Sequence, residues 1–139
     1  MIWRRLQAWV LGLVGATEIL AFPAVLVPQS SMATIHDWLG VGEMPRAPVF
    51  DSLMRRVAFT YGLHGVALLF IASDVVRYRP LVVLTAVGYL ASGLAFIAID
   101  VANGMPWWWV ANIGGCCLLI GVVLLALMAV ERNTGEKAK

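Results

Sequence analysis

Charge is what this sequence has least of. Lys, Arg, Asp and Glu together make up 13% of its residues, about half their share in an ordinary soluble domain. The basic residues cluster at the ends of the apolar runs and form no patch that could track a nucleic-acid backbone, so no nucleic-acid partner is expected. Cysteine is nearly absent: Cys116 and Cys117 are the only two. Being adjacent, they point to different sides of a helix, which excludes a CxxC redox pair or a zinc knuckle and argues against a structural disulfide. Histidine is as rare, with His36 and His64 alone. Only His64 falls within an apolar run, so a haem held by two intramembrane histidines of one chain would lack its second ligand. No internal repeat and no low-complexity tract occurs, and no catalytic motif of recognisable spacing is present.

What is there is apolar. Hydrophobic residues form 61% of the chain, and four windows are long enough to cross about 30 Å of hydrocarbon: residues 6–27, 57–73, 81–99 and 107–130. The first follows Trp3-Arg4-Arg5 as a signal peptide would, but its apolar stretch is too long and no A-x-A site follows, so it reads as a retained span. The expected fold is all-α, a single transmembrane domain built as a four-helix bundle.

The connection over 28–52 is the only long one. Within it SSMATIHDWLG places Met32, Ile35, Trp38 and Leu39 at helical spacing, with a serine to start and Gly40 to stop, which predicts a short amphipathic helix in the first outer loop. Pro45 and Pro48 break its continuation, and Asp51 or Ser52 can cap the second span. The turns DVVRYRP and DVANGMP are tight, and ERNTGEKAK over 131–139 reads as a charged, frayed tail. Arg4, Arg5, Arg77, Arg79, Arg132, Lys137 and Lys139 fall on one side of the spans and Arg46, Arg55 and Arg56 on the other, so both termini are expected to be cytoplasmic. His36 belongs to the outer loop. Trp107, Trp108 and Trp109 form an interfacial belt on the outer side.

Small residues recur four apart as Gly12 with Ala16, Ala58 with Gly62, Gly88 with Ser92 and Ala111 with Gly115. That spacing allows close helix approach where lipid supplies little drive for association.

Polar residues inside the spans point to a site. Counting about 1.5 Å per residue from the outer boundary puts Glu18, His64, Ser92 and Cys116 roughly 10 to 14 Å deep, with Asn112 and Tyr61 a turn closer to the surface. An ionised carboxylate at that depth needs a partner, and Glu18 is expected to face His64. The stripes Arg56, Thr60, His64 on the second span and Tyr89, Ser92, Gly93, Phe96, Asp100 on the third are expected to face the bundle interior. Arg55 and Arg56 at the start of the second span, and Asp100 at the end of the third, each sit at the wrong end of a helix dipole, which suggests that Asp100 bridges Arg56 or Arg55. Glu18, His64 and Cys116 offer ligand atoms without a motif spacing, so no metal site is expected.

IHDWLG, RRVAFTYGLHG, DVVRYRP and IDVANGMPWWW together resemble uncharacterised bacterial four-span proteins, a group similar to the DoxX-like membrane proteins. The resemblance implies an α-helical bundle in the bacterial cytoplasmic (inner) membrane. It also implies a conceivable link to quinone-coupled redox complexes, without a catalytic motif that matches residue by residue. The expected function is a non-catalytic accessory or scaffold component, with other membrane subunits or further copies of the chain as partners besides lipid. The alternative is a redox-linked or transport protein holding a quinone, a proton or a small ligand among Glu18, His64, Tyr61, Ser92, Asn112 and Cys116. An exporter is a third class that a membrane glutamate alone would not exclude.

Overall fold

Proline at position 23 decides where the first long helix stops. In the computed structural model, which describes residues 2–136, α1 (Ile2–Ile19) ends four residues before that proline. Beyond this point the pyrrolidine ring would meet the carbonyl of Ile19. A 3-10 turn, Phe22–Val25, carries the apolar run onward. The amphipathic helix of the loop is α2 (Gln29–Leu39); Gly40 closes it in the left-handed conformation at φ 65°, which costs glycine nothing. Helix α3 (Pro48–Ser73) starts well before position 57. Pro48 opens the helix instead of blocking one, because a first-turn position needs no N–H and suits the fixed φ of proline. Asp51 accordingly lies in the first turn of α3 and is not its cap.

Helices α4 (Arg79–Ala102) and α5 (Trp107–Glu136) are joined by a short turn. There Met105 N–H donates to Asp100 C=O at 3.0 Å and Gly104 N–H to Val101 C=O at 3.1 Å, with Gly104 at φ 68°. This 6→1 and 5→2 pairing satisfies the last carbonyls of α4. Residues 131–136, expected to fray, continue α5. Lys137 and Lys139, two of the cations counted for orientation, lie outside the described residues. All regular structure among the described residues is helical, and Ile2–Val25, Pro48–Ser73, Arg79–Ala102 and Trp107–Thr134 are long and apolar enough to cross a membrane.

The chain divides into two compact units. One comprises residues up to Gly12 together with those from Phe70 on; the other is Leu13–Leu69. In the second unit α1 and α3 pack backbone to backbone at Gly15 and Gly65. A Cβ on Gly65 would lie 2.6 Å from Gly15 O, and one on Gly15 would lie 2.8 Å from Gly65 O. A turn further along, the Phe22 ring fills the space over Gly62 and meets Phe59 edge-on at 5.6 Å.

In the first unit α4 and α5 form an antiparallel seam. Gly93 faces Gly114, and one heptad away Ala86 faces Gly121, whose Cβ would lie 2.8 Å from Ala86 O. The seven-residue spacing on both helices is that of left-handed packing at a shallow crossing angle. The register differs from the expected one. Gly12, Gly88 and Gly115 have nothing within 4 Å of a built Cβ, because the glycines that matter on α4 and α5 lie on a different flank of each helix. Gly115→Ala is therefore expected to stabilise the protein by about 0.5–1 kcal/mol through helix propensity, and Gly114→Ala to destabilise it by about 1–3 kcal/mol through overpacking. Unfolding of the two variants in mixed micelles, measured in parallel, checks the contrast.

Candidate functional site

Glu18 and His64 meet. Gly15 lies one turn before Glu18 on α1, and Gly65 follows His64 on α3, so the close approach of these glycines brings the two ionisable side chains together. His64 Nδ1 lies 2.6 Å from Glu18 Oε2. A charge-assisted bond of that length is among the stronger ones a protein makes, and it lies in helices that cross the bilayer. The two groups are unequally covered: Glu18 is 13% exposed and the His64 side chain 47%. The α3 stripe expected inside is thus an open one, with Arg56, Thr60, Tyr61 and His64 all on exposed positions. The buried face of α3 runs instead through Gly62, Gly65, Leu68 and Ile71, because glycine lets this flank approach α1 most closely.

On α4 the expected stripe does face inward. Tyr89 and Gly93 are buried, and Ser92, Phe96 and Asp100 half-buried. Asp100 Oδ2 is buried and takes no hydrogen bond among the described residues. On α5, Asn112 and Cys116 are exposed and contact each other one turn apart, Cys116 Sγ to Asn112 Oδ1 at 3.7 Å. Glu18, Tyr61 and His64 belong to the second unit, and Ser92, Asn112 and Cys116 to the first. Among the described residues no group of three His, Cys, Asp or Glu side chains is placed to hold a metal ion.

Arg55 has partners other than the one expected of it. Its Nε donates to Asp51 Oδ2 at 2.9 Å, one helical turn away. Its Nη1 donates to Val25 C=O, and its Nη2 to Val27 C=O at 3.1 Å. The carbonyls that the first span leaves unpaired as it ends need donors, and a planar guanidinium supplies several at once. Arg56 is exposed, and its carbonyl accepts the Thr60 hydroxyl at 2.9 Å. The turn after α3 is held similarly by Asp74, whose Oδ1 accepts the N–H groups of Val76 and Arg77.

One polar centre has no counterpart in the expectations. Glu131, on the last turns of α5, accepts Arg4 Nε at 2.5 Å, Gln7 Nε2 at 3.1 Å and Arg79 Nη1 at 3.1 Å. Gln7 is the one polar side chain in the buried core of the described residues, at 3% exposure. Arg4 and Gln7 are three apart on α1 and share a face, a spacing that could have flagged a partner. The carboxylate thus ties the starts of α1 and α4 to the end of α5.

In the loop, His36 Nδ1 donates to Gly42 C=O at 2.7 Å, and Met44 is buried. A shallow cleft of about 400 Å³ there is lined by Gln29, Ser30, Asp37, Met44 and Arg46 among others. Ile35 and Trp38 on α2 are exposed, as is Trp107 at the start of α5.

No protein-family model matches the chain, and no curated protein or solved structure matches it. The class is defined by the helices themselves: an all-α, multi-pass membrane protein whose apolar surfaces meet lipid.

Proposed function

We propose that the chain is a non-catalytic accessory or scaffold subunit of a complex in the bacterial cytoplasmic membrane, with both termini cytoplasmic, and that it offers the α3 face bearing Arg56, Thr60, Tyr61 and His64 to a partner helix. The observation that carries this reading is the hydrogen bond of His64 with Glu18 between two membrane-crossing helices, with 47% of the imidazole side chain uncovered. Acyl chains solvate such a surface poorly, whereas a neighbouring helix with polar groups covers it and gains affinity from doing so. The orientation is supported by the arginines Arg4, Arg5, Arg77 and Arg79 at one end of the spans.

The pair also favours a second reading. A carboxylate hydrogen-bonded to an imidazole, open on one side to the bilayer, is suited to accept or deliver a proton, or to bind the carbonyl of a quinone.

The test is purification in mild detergent of the wild type and of His64→Leu, with complex size and co-purifying chains and lipophilic molecules identified by mass spectrometry. His64→Leu is expected to weaken association with the partner roughly threefold to thirtyfold, the range for one polar contact between membrane helices. A wild-type chain that runs alone and carries a quinone, lost in Glu18→Gln, would replace the scaffold reading with the second one.

A further inference from the structure

The centre around Glu131 leaves an imbalance of charge. Two helices begin there, α1 at Ile2 and α4 at Arg79, and neither has an acidic residue in its first turn. The N-cap of α4, Tyr78, makes no side-chain cap hydrogen bond. A helix start carries a partial positive charge and favours an anion, yet these starts carry Arg4 and Arg5 on α1 and Arg79 on α4. Arg77 precedes α4 in the turn, its guanidinium 5.5 Å from the Tyr78 ring centre. Among the described side chains Glu131 and Asp74 are the acidic groups at this end, and Asp74 Oδ1 is engaged by the backbone of its own turn. Glu131 and Asp74 offset two of the four arginines Arg4, Arg5, Arg77 and Arg79, so positive charge is left over at the membrane boundary, while the end of α5 offsets only part of the two helix starts.

The geometry points to a binding site for a phosphate group, supplied by the headgroup of an anionic phospholipid, between Arg4 and Arg79. Both guanidinium groups reach the same carboxylate, Arg4 Nε on Oε1 and Arg79 Nη1 on Oε2, so one acid holds both cations within its reach. Each spends one nitrogen on Glu131 and keeps other N–H groups for a second anion. Their side chains are 52% and 45% exposed while Glu131 is 13% exposed, so the carboxylate lies behind the guanidiniums and the phosphate would approach from the open side. Glu131 thus acts as a buried positioning group that holds two planar forks in place, and arginine forks match phosphate oxygens in pairs. The exposed apolar residues Ile2, Leu6, Leu81 and Leu84 on the same two helix starts leave apolar surface along which the acyl chains of that lipid can lie.

The experiment uses the full chain in nanodiscs and in detergent, with phosphatidylglycerol against phosphatidylcholine as the lipid and inorganic phosphate as the soluble probe. Retained lipid is read by native mass spectrometry and thermal stability in parallel. Phosphatidylglycerol is expected to be retained over phosphatidylcholine and to raise the melting temperature. Arg4→Gln and Arg79→Gln should each lower its retention roughly fivefold, the usual worth of one cation at an anionic membrane surface. Glu131→Gln keeps one acceptor oxygen to orient the arginines and removes the negative charge that competes with the phosphate, so it should increase retention even as it lowers stability, a divergence that a purely structural trio would not produce. Stabilisation by inorganic phosphate as well would support the phosphate site and assign it a soluble source in addition. Equal retention of the two lipids together with no response to inorganic phosphate would overturn the proposal, as would a Glu131→Gln variant that loses phosphatidylglycerol.

Discussion

Gly65→Ala is expected to lower stability by about 1–3 kcal/mol and to break the hydrogen bond between Glu18 and His64. The added methyl would sit 2.6 Å from Gly15 O and 2.9 Å from Ile19 N. Both are backbone atoms, which no rotamer change can move aside, so α1 and α3 must separate. Their separation stretches the one place where the acid and the imidazole meet, a bond of 2.6 Å that weakens as its partners are drawn apart. Gly12→Ala, on the same helix as Gly15 and with nothing within 4 Å, is the matched control and should be neutral or mildly stabilising. Unfolding in mixed micelles gives the stability difference, and the imidazole signals of His64 in nuclear magnetic resonance report the hydrogen bond. Equal effects of the two substitutions would mean that α1 and α3 are not in backbone contact at Gly15 and Gly65.

Removal of Glu131 should be costlier than its place near the end of α5 suggests. Glu131→Ala leaves the Nε of Arg4, the Nη1 of Arg79 and the amide of the buried Gln7 without their shared acceptor. A fully buried pair broken in this way costs about 3–5 kcal/mol, whereas an exposed one costs under about 1. Here the carboxylate and Gln7 are covered and the arginines half open, so a loss of about 2–3 kcal/mol is expected between those limits. Glu131→Gln retains one acceptor oxygen and should recover part of it. Gln7→Leu should be far milder, because it removes the donor and fills the space with an apolar group. Thermal denaturation of the three variants in one detergent ranks them. A Glu131→Ala protein as stable as wild type would show that the three donors find water instead.

The parts of this molecule that announce themselves in the sequence are those set by local physics. The four apolar runs are visible because a bilayer demands length and composition alone, and the ends of α2 and α4 because Gly40 and Gly104 adopt backbone angles that other residues avoid. Glu18 and His64 are legible as a pair because depth can be counted along helices. Which flank of a helix faces its neighbour is another matter. Gly12 with Ala16 has the same spacing as many small pairs, and only the packed structure shows that Gly15 is the contact. The open α3 stripe has the same origin, since polarity suggests an inward face and close packing through Gly62 and Gly65 took precedence. The dipole position of Arg55 suggests a distant acid, whereas two carbonyls and Asp51 lie within its reach. Glu131 is hidden by sequence distance: it lies 127 positions from Arg4 and 52 from Arg79, and its charged neighbours in sequence read as a solvated tail.

The seam of Gly93 on Gly114 and Ala86 on Gly121 joins helices that are consecutive in the chain, separated only by the turn at Gly104. Contacts between sequence neighbours close with little loss of loop entropy. This hairpin can zip shut as soon as its second arm enters the bilayer, before the slower search by which Arg4 and Gln7 reach Glu131. A biosynthetic intermediate trapped at that stage would already hold a native α4–α5 pair and would lack the clasp.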